Sequence, residues 1–292
     1  MDRSANENLD LAALRIFKAV AECGGITRAA ARLHRVQSNV TTRIQQLEAR
    51  VGARLFHRRN RRLELSEDGR ILLGYAERLL SLSAEAQQAL HGGAPRGVFR
   101  LGSLESTAAT RLPSVLARYH RDYPEVRVEL VTGTTGKLVE SVLEGEIEAA
   151  FVAEPFSADG LERQPVFTEE LVVIAGPAYS RGGRARFAHA PVLAFAAGCS
   201  YRRRLEAWLA REGLAAERVM EYASYHAIVA CVIAGGGIAV VPRSVLRALR
   251  LATRPTVHEL PRDISLARTC LVWREGHRSG ALDALQGRLK PR

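Results

Sequence analysis

The sequence predicts an α/β protein of two domains. A small helical N-terminal domain is joined by one long helix to a larger domain of alternating strands and helices. The chain has 292 residues, 47% of them hydrophobic, which suits roughly two globular domains of about 100 to 200 residues each. Apolar residues recur at helical spacing up to about residue 90. Beyond residue 98, short apolar runs alternate with helical segments.

The first two predicted helices lie next to each other in the chain. Apolar residues at helical spacing predict the first: Leu11, Leu14, Phe17, Ala19, Val20 and Ala21. Gly24 and Gly25 end it, and Thr27 is expected to cap the start of the second. The second helix has a face of small residues: Ala29, Ala30 and Leu33. Because small residues let helices approach closely, this helix and the next predict a helix-turn-helix.

The third predicted helix has two chemically different faces. Its apolar stripe, expected to face the core, comprises Val36, Val40, Ile44 and Leu47. The opposite face carries Gln37, Ser38, Thr41, Thr42 and Gln45, with Asn39 and Arg43 beside them. Amides pair with adenine, hydroxyls reach base edges or phosphates, and arginine binds guanine or phosphate. A merely polar surface is the alternative, but such a surface usually mixes Glu with Lys. We interpret this face as one that reads double-stranded DNA.

Positive charge is concentrated in the same segment. Residues 1–66 contain 13 Lys and Arg against 6 Asp and Glu, and the stretch from Cys23 to Leu47 contains no acid. This distribution is typical of a module that binds a polyanion. Thr27 and Arg28 are expected to hold phosphates.

A basic hairpin is predicted next. Residues 54–65 indicate two short strands around a basic turn, which together form a wing. Its Arg58 and Arg59 would contact the phosphate backbone or the minor groove. The alternative is a solvated sheet edge without a DNA contact.

One long helix is predicted after the wing. Ser66 can cap a helix over residues 67–91, in which apolar and small residues recur by four and three: Leu72, Ala76, Leu79, Ser83, Ala86 and Leu90. This spacing predicts a seam for a partner helix. The alternative is a helix packed within its own domain. Residues 92–97, rich in glycine and with one proline, predict a hinge.

The C-terminal two thirds predict mainly parallel α/β sheets. The predicted strands cover residues 99–102, 126–131, 149–153, 171–175, 192–195, 219–222 and 238–241. The predicted helices cover residues 107–119, 135–144, 201–212 and 224–234.

Ser, Thr and Gly recur where these strands lead into helices. In a parallel sheet such junctions gather at the carboxyl ends of the strands, where ligands bind. Helix-terminal N–H groups and hydroxyls there can hold a carboxylate or another small anion. Arg202 and Arg203 could pair with an acidic effector, and the alternative is that they are solvated arginines of the first helical turn. Each junction alone is an ordinary cap, but four together favour a cleft. The candidate effector-binding residues are Ser103, Glu105, Ser106, Thr107, Thr134, Ser200, Tyr201, Arg202, Ser224, Tyr225 and His226.

Several classes of site have no signature in the sequence. No phosphate-loop, serine-hydrolase or zinc-protease motif occurs. The cysteines are far apart, without a C-x-x-C pair: Cys23, Cys199, Cys231 and Cys270. We therefore expect no catalytic residues, no metal and no cofactor, with a redox role for Cys199 as a minor alternative.

The sequence also indicates where the protein acts. No apolar run reaches the about 20 residues of a membrane span, and no secretory signal is present. We expect a cytoplasmic protein without membrane contact. The rival hypothesis is a small-molecule-binding or enzymatic α/β protein with an incidental basic N-terminus.

The N-terminal residues resemble the signature of LysR-type transcriptional regulators. The matching positions are residues 26–34, Gln37, Val40, Arg43, residues 47–48, Gly52, residues 54–56, Arg58 and residues 65–69. Where the family usually has S-Q-P-A-V-S, this chain has V-Q-S-N-V-T over residues 36–41. That difference does not change the expected fold, but it means that the family's common operator sequence cannot be assigned to this chain.

The resemblance implies an N-terminal winged helix-turn-helix, a long linker helix and a C-terminal two-lobed effector domain like a periplasmic binding protein. It places the DNA-binding domain at residues 9–66, a dimerising linker helix at 67–91, a hinge at 92–97 and the regulatory domain at 98–292. Lobe I would comprise residues 98–165 and 268–292, and lobe II residues 166–267.

The partners implied by the resemblance are DNA, a small-molecule effector held between the lobes, and RNA polymerase. It also implies a homodimer that assembles further into a homotetramer, and no enzymatic activity. Residues 101–109, 199–203, 224–226 and 230–235 resemble a LysR subgroup that includes the putrescine-utilisation regulator of enteric bacteria. This likeness implies a regulon in polyamine or amino-acid metabolism, with an effector that is anionic or related to those compounds.

Overall fold

The computed structural model describes residues 9–59, 62–91, 94–179, 187, 190–214, 216 and 218–289. The chain divides into two compact units, residues 1–93 and 94–292. Within the described ranges, no helix combines the length and the apolar character needed to cross a bilayer.

Within its described residues, the first unit forms three helices, a hairpin and a long helix. In chain order these are α1 (Leu11–Cys23), α2 (Ile26–Arg32), α3 (Gln37–Val51), β1 (Phe56–Arg59), β2 (Arg62–Leu65) and α4 (Glu67–His91). Strands β1 and β2 pair antiparallel, with Phe56 opposite Leu65 and Arg59 opposite Arg62. This is the predicted order of a winged helix-turn-helix followed by a linker helix.

The apolar faces of α1, α2 and α3 form one core. Leu14, Phe17 and Val20 of α1 are fully buried and cluster with Ala29 of α2 and Val40 of α3. Full burial of a Leu or Phe side chain contributes about 1.5–3 kcal/mol relative to exposure. This cluster therefore fixes α3 against the other two helices.

Two predictions at the helix ends are wrong. Thr27 does not cap α2, because Gly25 is the N-cap residue and Thr27 lies exposed in the first turn. Val36 does not face the core, because it is the N-cap residue of α3 and is 69% exposed. The helix begins one residue after Val36, so its buried stripe starts at Val40.

The carboxylate of Glu48 joins α3 to the wing. Its Oε1 accepts hydrogen bonds from the backbone N–H groups of Leu55 (2.8 Å) and Phe56 (3.3 Å). Its Oε2 accepts a bond from Nη1 of Arg54 (3.2 Å). Hydrogen bonds to an ionised acceptor are roughly twice as strong as neutral ones. A side chain of α3 therefore sets the position of the hairpin.

Ser66 connects the start of α4 to the segment that precedes the wing. Its hydroxyl donates to the carbonyl oxygen of Arg54 (2.6 Å) and accepts from the backbone N–H of Gly69 (2.8 Å), so it caps α4. The chain passes so close here that a Cβ at Gly69 would lie 2.1 Å from the carbonyl oxygen of Leu55. Only glycine fits this position without a shift of the backbone.

The seam predicted on α4 is only partly available to a partner. Ala76 is fully buried, and Leu72 packs against the core of the N-terminal unit. The apolar stripe that is exposed on α4 consists of Ile71, Tyr75, Leu79 and Leu82. The seam prediction is wrong for Leu72 and Ala76, because α4 has apolar residues on two faces, one of which packs against α1. Leu79 of the predicted seam is exposed, and the side chain of Leu90 lies outside the described part of the structure.

The second unit is built around a mixed sheet. Its strands are β3 (Gly97–Ser103), β4 (Val126–Thr132), β5 (Ala149–Ala153), β6 (Leu161–Ala175), β7 (Val192–Ala194), β8 (Val219–Glu221), β9 (Ile238–Pro242), β10 (Thr256–Glu259) and β11 (Leu266–Arg274). Its helices are α5 (Glu105–Thr110), α6 (Leu112–Asp122), α7 (Thr135–Glu144), α8 (Ser200–Arg211), α9 (Tyr225–Ile233), α10 (Arg243–Ala248), α11 (Arg262–Ser265) and α12 (Gly280–Gln286). Neighbouring strands follow the order β4-β3-β5-β11-β6-β9-β7-β8, with β10 paired to β6.

Two lobes share this sheet. In lobe I, which contains α5 to α7, β3 pairs parallel with β4 and β5. In lobe II, which contains α8 to α10, β7 pairs parallel with β8 and β9. Strands β6 and β11 pair antiparallel with each other, and they join β5 of lobe I to β9 of lobe II through further antiparallel pairs. The prediction of mainly parallel sheets therefore holds for β3 to β5 and for β7 to β9, and it is wrong for β6, β10 and β11, which pair antiparallel with their neighbours.

The close approach at Gly69 can be tested with two glycines of α4. We expect Gly69→Ala to destabilise the first unit by about 1–3 kcal/mol, because the added methyl group collides with a backbone carbonyl. Gly74→Ala is the matched control, since nothing lies within 4 Å of a Cβ there. It should stabilise α4 by about 1 kcal/mol. Amide hydrogen exchange of α1 to α3 in the full chain measures both effects, and equal protection in the two variants would contradict the close approach.

Candidate DNA interface and effector cleft

The polar face of α3 is exposed and free of acid in its first two turns. The side chains predicted to read bases are exposed together: Gln37, Ser38, Asn39, Thr42 and Arg43. Thr41 differs, because it is half-buried and its hydroxyl donates a hydrogen bond to the carbonyl oxygen of Gln37 (3.0 Å). The buried residues Val40, Ile44 and Leu47 hold this face outward.

The residues predicted to hold phosphates belong to α2 and β1. Thr27 and Arg28 are exposed on α2. Arg28 Nη2 also donates to the carbonyl oxygen of Gly24 at the end of α1 (3.1 Å), so its guanidinium supports the turn between the two helices. Arg58 and Arg59 belong to β1, and their side chains lie outside the described part of the structure.

The four predicted strand-to-helix junctions meet between lobe I and lobe II. The cleft that they form is lined by Leu104, Glu105, Ser106, Gly133, Thr134, Phe195, Cys199, Ser200, Tyr201 and Tyr225. The lobes touch here, because the backbone N–H of Gly136 donates to the carbonyl oxygen of Gly198 across the cleft (3.2 Å). The free space is about 10 Å³, so the lobes are closed on each other.

Five of the predicted effector residues do not line this cleft: Ser103, Thr107, Arg202, Ser224 and His226. The hydroxyl of Ser103 bonds to the carbonyl oxygen of Leu104 (2.9 Å). Ser224 caps α9 by accepting from the backbone N–H of His226 (3.2 Å), and His226 is exposed. Phe195, Leu104 and Gly133 line the cleft without having been predicted, because no polar group marked them.

Buried hydroxyls without a partner are concentrated around the cleft. Among the described residues, the hydroxyl groups of five have no hydrogen-bond partner: Ser106, Thr107, Ser200, Tyr201 and Thr269. Burial and then the charge of Glu169 raise the pKa of Tyr201, an effect that the nearby hydroxyls of Ser106 and Thr269 oppose. Because buried polar groups are rarely left unpaired, this cluster is suited to a polar ligand or to water.

Glu105 supplies the one charged side chain among the described residues that line the cleft. Burial raises the pKa of its carboxyl group. The backbone N–H of Tyr225 and the charge of His226, both in lobe II, act in the opposite direction. A carboxylate of lobe I therefore reaches the start of α9 across the cleft.

The position of Arg202 does not support the predicted pairing with an acidic effector. Its guanidinium is held by Glu206 (2.8 Å from Nε) and by Glu221 (2.7 Å from Nη1), and these two carboxylates raise its pKa. Arg202 is thus an ion-paired residue of lobe II outside the cleft lining.

The next two arginines of α8 connect the lobes instead. Arg203 Nη2 donates to the carbonyl oxygen of Pro155. Arg204 Nη2 donates to the carbonyl oxygen of Glu154 (3.1 Å), and its Nη1 donates to that of Ile264 (3.0 Å). These bonds fix α8 against the end of β5.

Cys199 lines the cleft as a buried thiol. Burial raises its pKa, and the backbone N–H groups of Arg202 and Tyr201 partly oppose that shift. Each of the four cysteines is a free thiol. Because the thiolate is the reactive form, a raised pKa gives no support to a redox role for Cys199.

A buried carboxylate that was not predicted from the sequence connects the two lobes where β6 passes from one to the other. Glu169 of β6 is 2% exposed. Its Oε1 accepts from Nε of Arg111 in lobe I (2.6 Å), and its Oε2 accepts from the hydroxyl of Ser244 in lobe II (2.6 Å). A single glutamate in a strand carries no spacing signal, so sequence reasoning had no way to find it.

We expect Glu169→Gln to destabilise the second unit by about 1–3 kcal/mol, because it weakens two hydrogen bonds and leaves Arg111 without its carboxylate. Glu170→Gln is the matched control, since its carboxylate is 49% exposed and pairs with Arg243 at the surface; it should change stability by about 0.5 kcal/mol or less. Urea unfolding followed by the fluorescence of Trp208 and Trp273 measures both. Equal effects would contradict a tie between the lobes.

Two family models match the chain. The bacterial regulatory helix-turn-helix protein model of the lysR family matches residues 11–70. The LysR substrate binding domain model matches residues 92–292.

Curated relatives are similar over most of their length. The chain is 42% identical over 258 residues to the HTH-type transcriptional regulator YofA of Bacillus velezensis, covering 87% of this chain and 89% of the relative. It is 36% identical over 269 residues to the regulator GltR of Bacillus subtilis, covering 91% of each.

Solved structures share the fold. Full-length CbnR complexed with its target DNA has a TM-score of 0.67 at 23% identity, covering 96% of this chain and 99% of that one. Full-length OxyR of Pseudomonas aeruginosa has a TM-score of 0.68 at 19% identity, covering 97% and 95%. With a family model over more than half of its length and relatives that are transcriptional regulators, the chain belongs to the LysR family of DNA-binding transcriptional regulators and is not an enzyme.

Proposed function

We propose that this regulator recognises its operator through the acid-free face of α3. The observation that carries the proposal is the joint exposure of Gln37, Ser38, Asn39, Thr42 and Arg43 on a helix whose other side is buried. An α-helix fits the major groove, where amides and guanidinium groups make paired hydrogen bonds to base edges. Thr41 contributes less than the others because its hydroxyl is bonded within the helix.

Contacts to the DNA backbone are proposed for Thr27 and Arg28 of α2 and for Arg58 and Arg59 of the wing. Such contacts add affinity that does not depend on base sequence and that falls as salt rises. The hairpin register, with Arg59 opposite Arg62, supports a basic wing next to α3. The structural neighbour CbnR, solved with its target DNA, supports the same use of this fold.

We expect Gln37→Ala to weaken binding to the cognate operator by about 1–3 kcal/mol while leaving binding to random duplex nearly unchanged, because it removes a base contact. Arg58→Ala is the contrasting variant: it should weaken both duplexes alike and reduce the salt slope by about 1. Competition mobility-shift assays at several salt concentrations measure these effects. Equal losses on both duplexes for Gln37→Ala would defeat its assignment as a base-reading residue.

We propose a homodimer formed through α4. Its exposed apolar stripe, Ile71, Tyr75, Leu79 and Leu82, is of the kind that marks a protein interface. Pairing of two such helices about a two-fold axis would place two copies of α3 on successive major-groove faces of a symmetric site. Further assembly into a homotetramer is proposed from family resemblance.

We expect Leu82→Asp to dissociate the dimer and to abolish high-affinity operator binding, because it places a charge within the apolar stripe. Ser81→Asp is the control, since Ser81 is exposed on α4 outside the stripe. Sedimentation velocity of the full chain measures the mass of each variant. A Leu82→Asp protein that stays dimeric would show that the stripe does not form the interface.

We propose that the cleft between the lobes binds a small-molecule effector. The supporting observations are the meeting of four junctions and the unpaired hydroxyls of Ser106, Ser200 and Tyr201. Glu105, Thr134 and Tyr225 complete the proposed set from the lining, and Thr107 lies beside it. Because the closed cleft has almost no free space, an effector requires a different placement of the lobes. It can shift that equilibrium only by the difference in its affinity for the two arrangements.

Several finer points are proposed from the sequence. The domains are residues 9–66, 67–91, 92–97 and 98–292. The regulator acts in the cytoplasm, where its operator lies, and contacts RNA polymerase there. Its likeness to the subgroup of the putrescine-utilisation regulator supports a regulon in polyamine or amino-acid metabolism.

A further inference from the structure

We infer that the effector carries a cationic ammonium group and that the carboxylate of Glu105 binds it. This inference rests on the proposed effector cleft and adds the charge of the ligand and the residue that recognises it. The sequence led us to expect an effector that is anionic or related to amino acids or polyamines; the inference contradicts the first expectation and agrees with the second.

The charge of the cleft lining favours a cation. Among the described residues that line it, Glu105 has the only charged side chain. The first three arginines of α8 make other bonds: Arg202 pairs with two glutamates, and Arg203 and Arg204 donate to backbone carbonyl groups. Among the described lining residues, an anion would therefore meet a carboxylate and no guanidinium group.

Two of the helix starts around the cleft are capped from within the protein. At α7, Thr134 Oγ1 accepts from the backbone N–H of Lys137. At α9, the hydroxyl of Ser224 accepts from the backbone N–H of His226, and the carboxylate of Glu105 faces the N–H of Tyr225. Cys199, the N-cap residue of α8, makes no capping hydrogen bond through its side chain. The N–H groups at the starts of α7 and α9 are therefore partly in use.

The remaining lining suits an ammonium group. The rings of Phe195 and Tyr225 lie 4.8 Å apart at their centroids, and aromatic faces attract cations. The unpaired hydroxyls of Ser106, Ser200 and Tyr201 can accept hydrogen bonds from N–H donors. Burial raises the pKa of the Glu105 carboxyl group, and the N–H of Tyr225 and the charge of His226 only partly oppose that effect. A bound cation would oppose it further.

The test is isothermal titration of the full chain with two matched series of probes. One series consists of alkylammonium and alkanediammonium salts of three to six carbons, and the other of carboxylates of the same chain lengths. We expect ammonium probes to bind and carboxylates not to bind. Bound ammonium should slow amide hydrogen exchange at the starts of α5 and α9.

Two variants complete the test. Glu105→Gln should weaken ammonium binding at least tenfold. Because this substitution removes a desolvated charge, the unfolding midpoint of the variant should be no lower than that of the wild type. Glu140→Gln is the matched control, since Glu140 is a carboxylate of lobe I that is 55% exposed and pairs with Lys137; its affinity should equal that of the wild type.

Three outcomes would overturn the inference. Carboxylate binding with protection of the cleft would exclude an ammonium ligand while leaving the effector cleft in place. A Glu105→Gln protein with a lowered unfolding midpoint and unchanged ammonium affinity would give Glu105 a structural role only. Failure of both series to bind, or binding without protection at α5 and α9, would remove the inference and the proposed cleft together.

Discussion

The carboxylate of Glu48 is the contact on which the DNA-binding unit depends. It sits near the end of α3 and accepts hydrogen bonds from the backbone of Leu55 and Phe56, where the wing begins. Ser66 then bonds to Arg54 and caps α4. One short stretch of chain thus links α3, the wing and α4. The residues that make these bonds belong to the family signature, so that signature encodes a rigid junction as well as a DNA-reading surface.

The effector unit is organised around polar ties between its lobes. Glu169 holds Arg111 of lobe I and Ser244 of lobe II at the crossing strands. Arg203 and Arg204 fasten α8 to the end of β5, and Gly136 bonds to Gly198 across the cleft. A few directional bonds can exist in one lobe arrangement and be lost in another. A ligand could favour a different arrangement of the lobes only by binding it better than the arrangement that these bonds hold.

The local sequence pattern was sufficient to predict a helix and its bounds where one face of that helix packs against one core. The bounds of α1 follow from its apolar spacing and from Gly24, which adopts a φ of 62° at the helix end. Pattern failed where a residue's role depends on contacts distant in sequence. Val36 fits the apolar stripe of α3 but serves as its N-cap, and Leu72 of the predicted α4 seam packs inward.

The same limit applies in the second unit. The first part of β6 was not predicted, because Pro165 and several charged residues interrupt its alternation; its pairing with β11 makes it a strand. The four junctions of the cleft were predicted from their Ser, Thr and Gly residues. The sign of the charge in the cleft was not predicted. Arg202 pairs with Glu206, its i,i+4 neighbour on α8, and with Glu221, which is distant in sequence. The first pair is within reach of sequence pattern and the second is not.

We expect the polar face of α3 to read a specific DNA sequence, in two copies related by a two-fold axis. The decisive measurement is hydroxyl-radical footprinting of the full chain on the intergenic region beside its own gene. Two protected backbone segments should appear, with their centres separated by one helical turn of about 10–10.5 base pairs or a multiple of it. Uniform protection along the duplex, or protection equal to that on a scrambled fragment, would contradict this expectation.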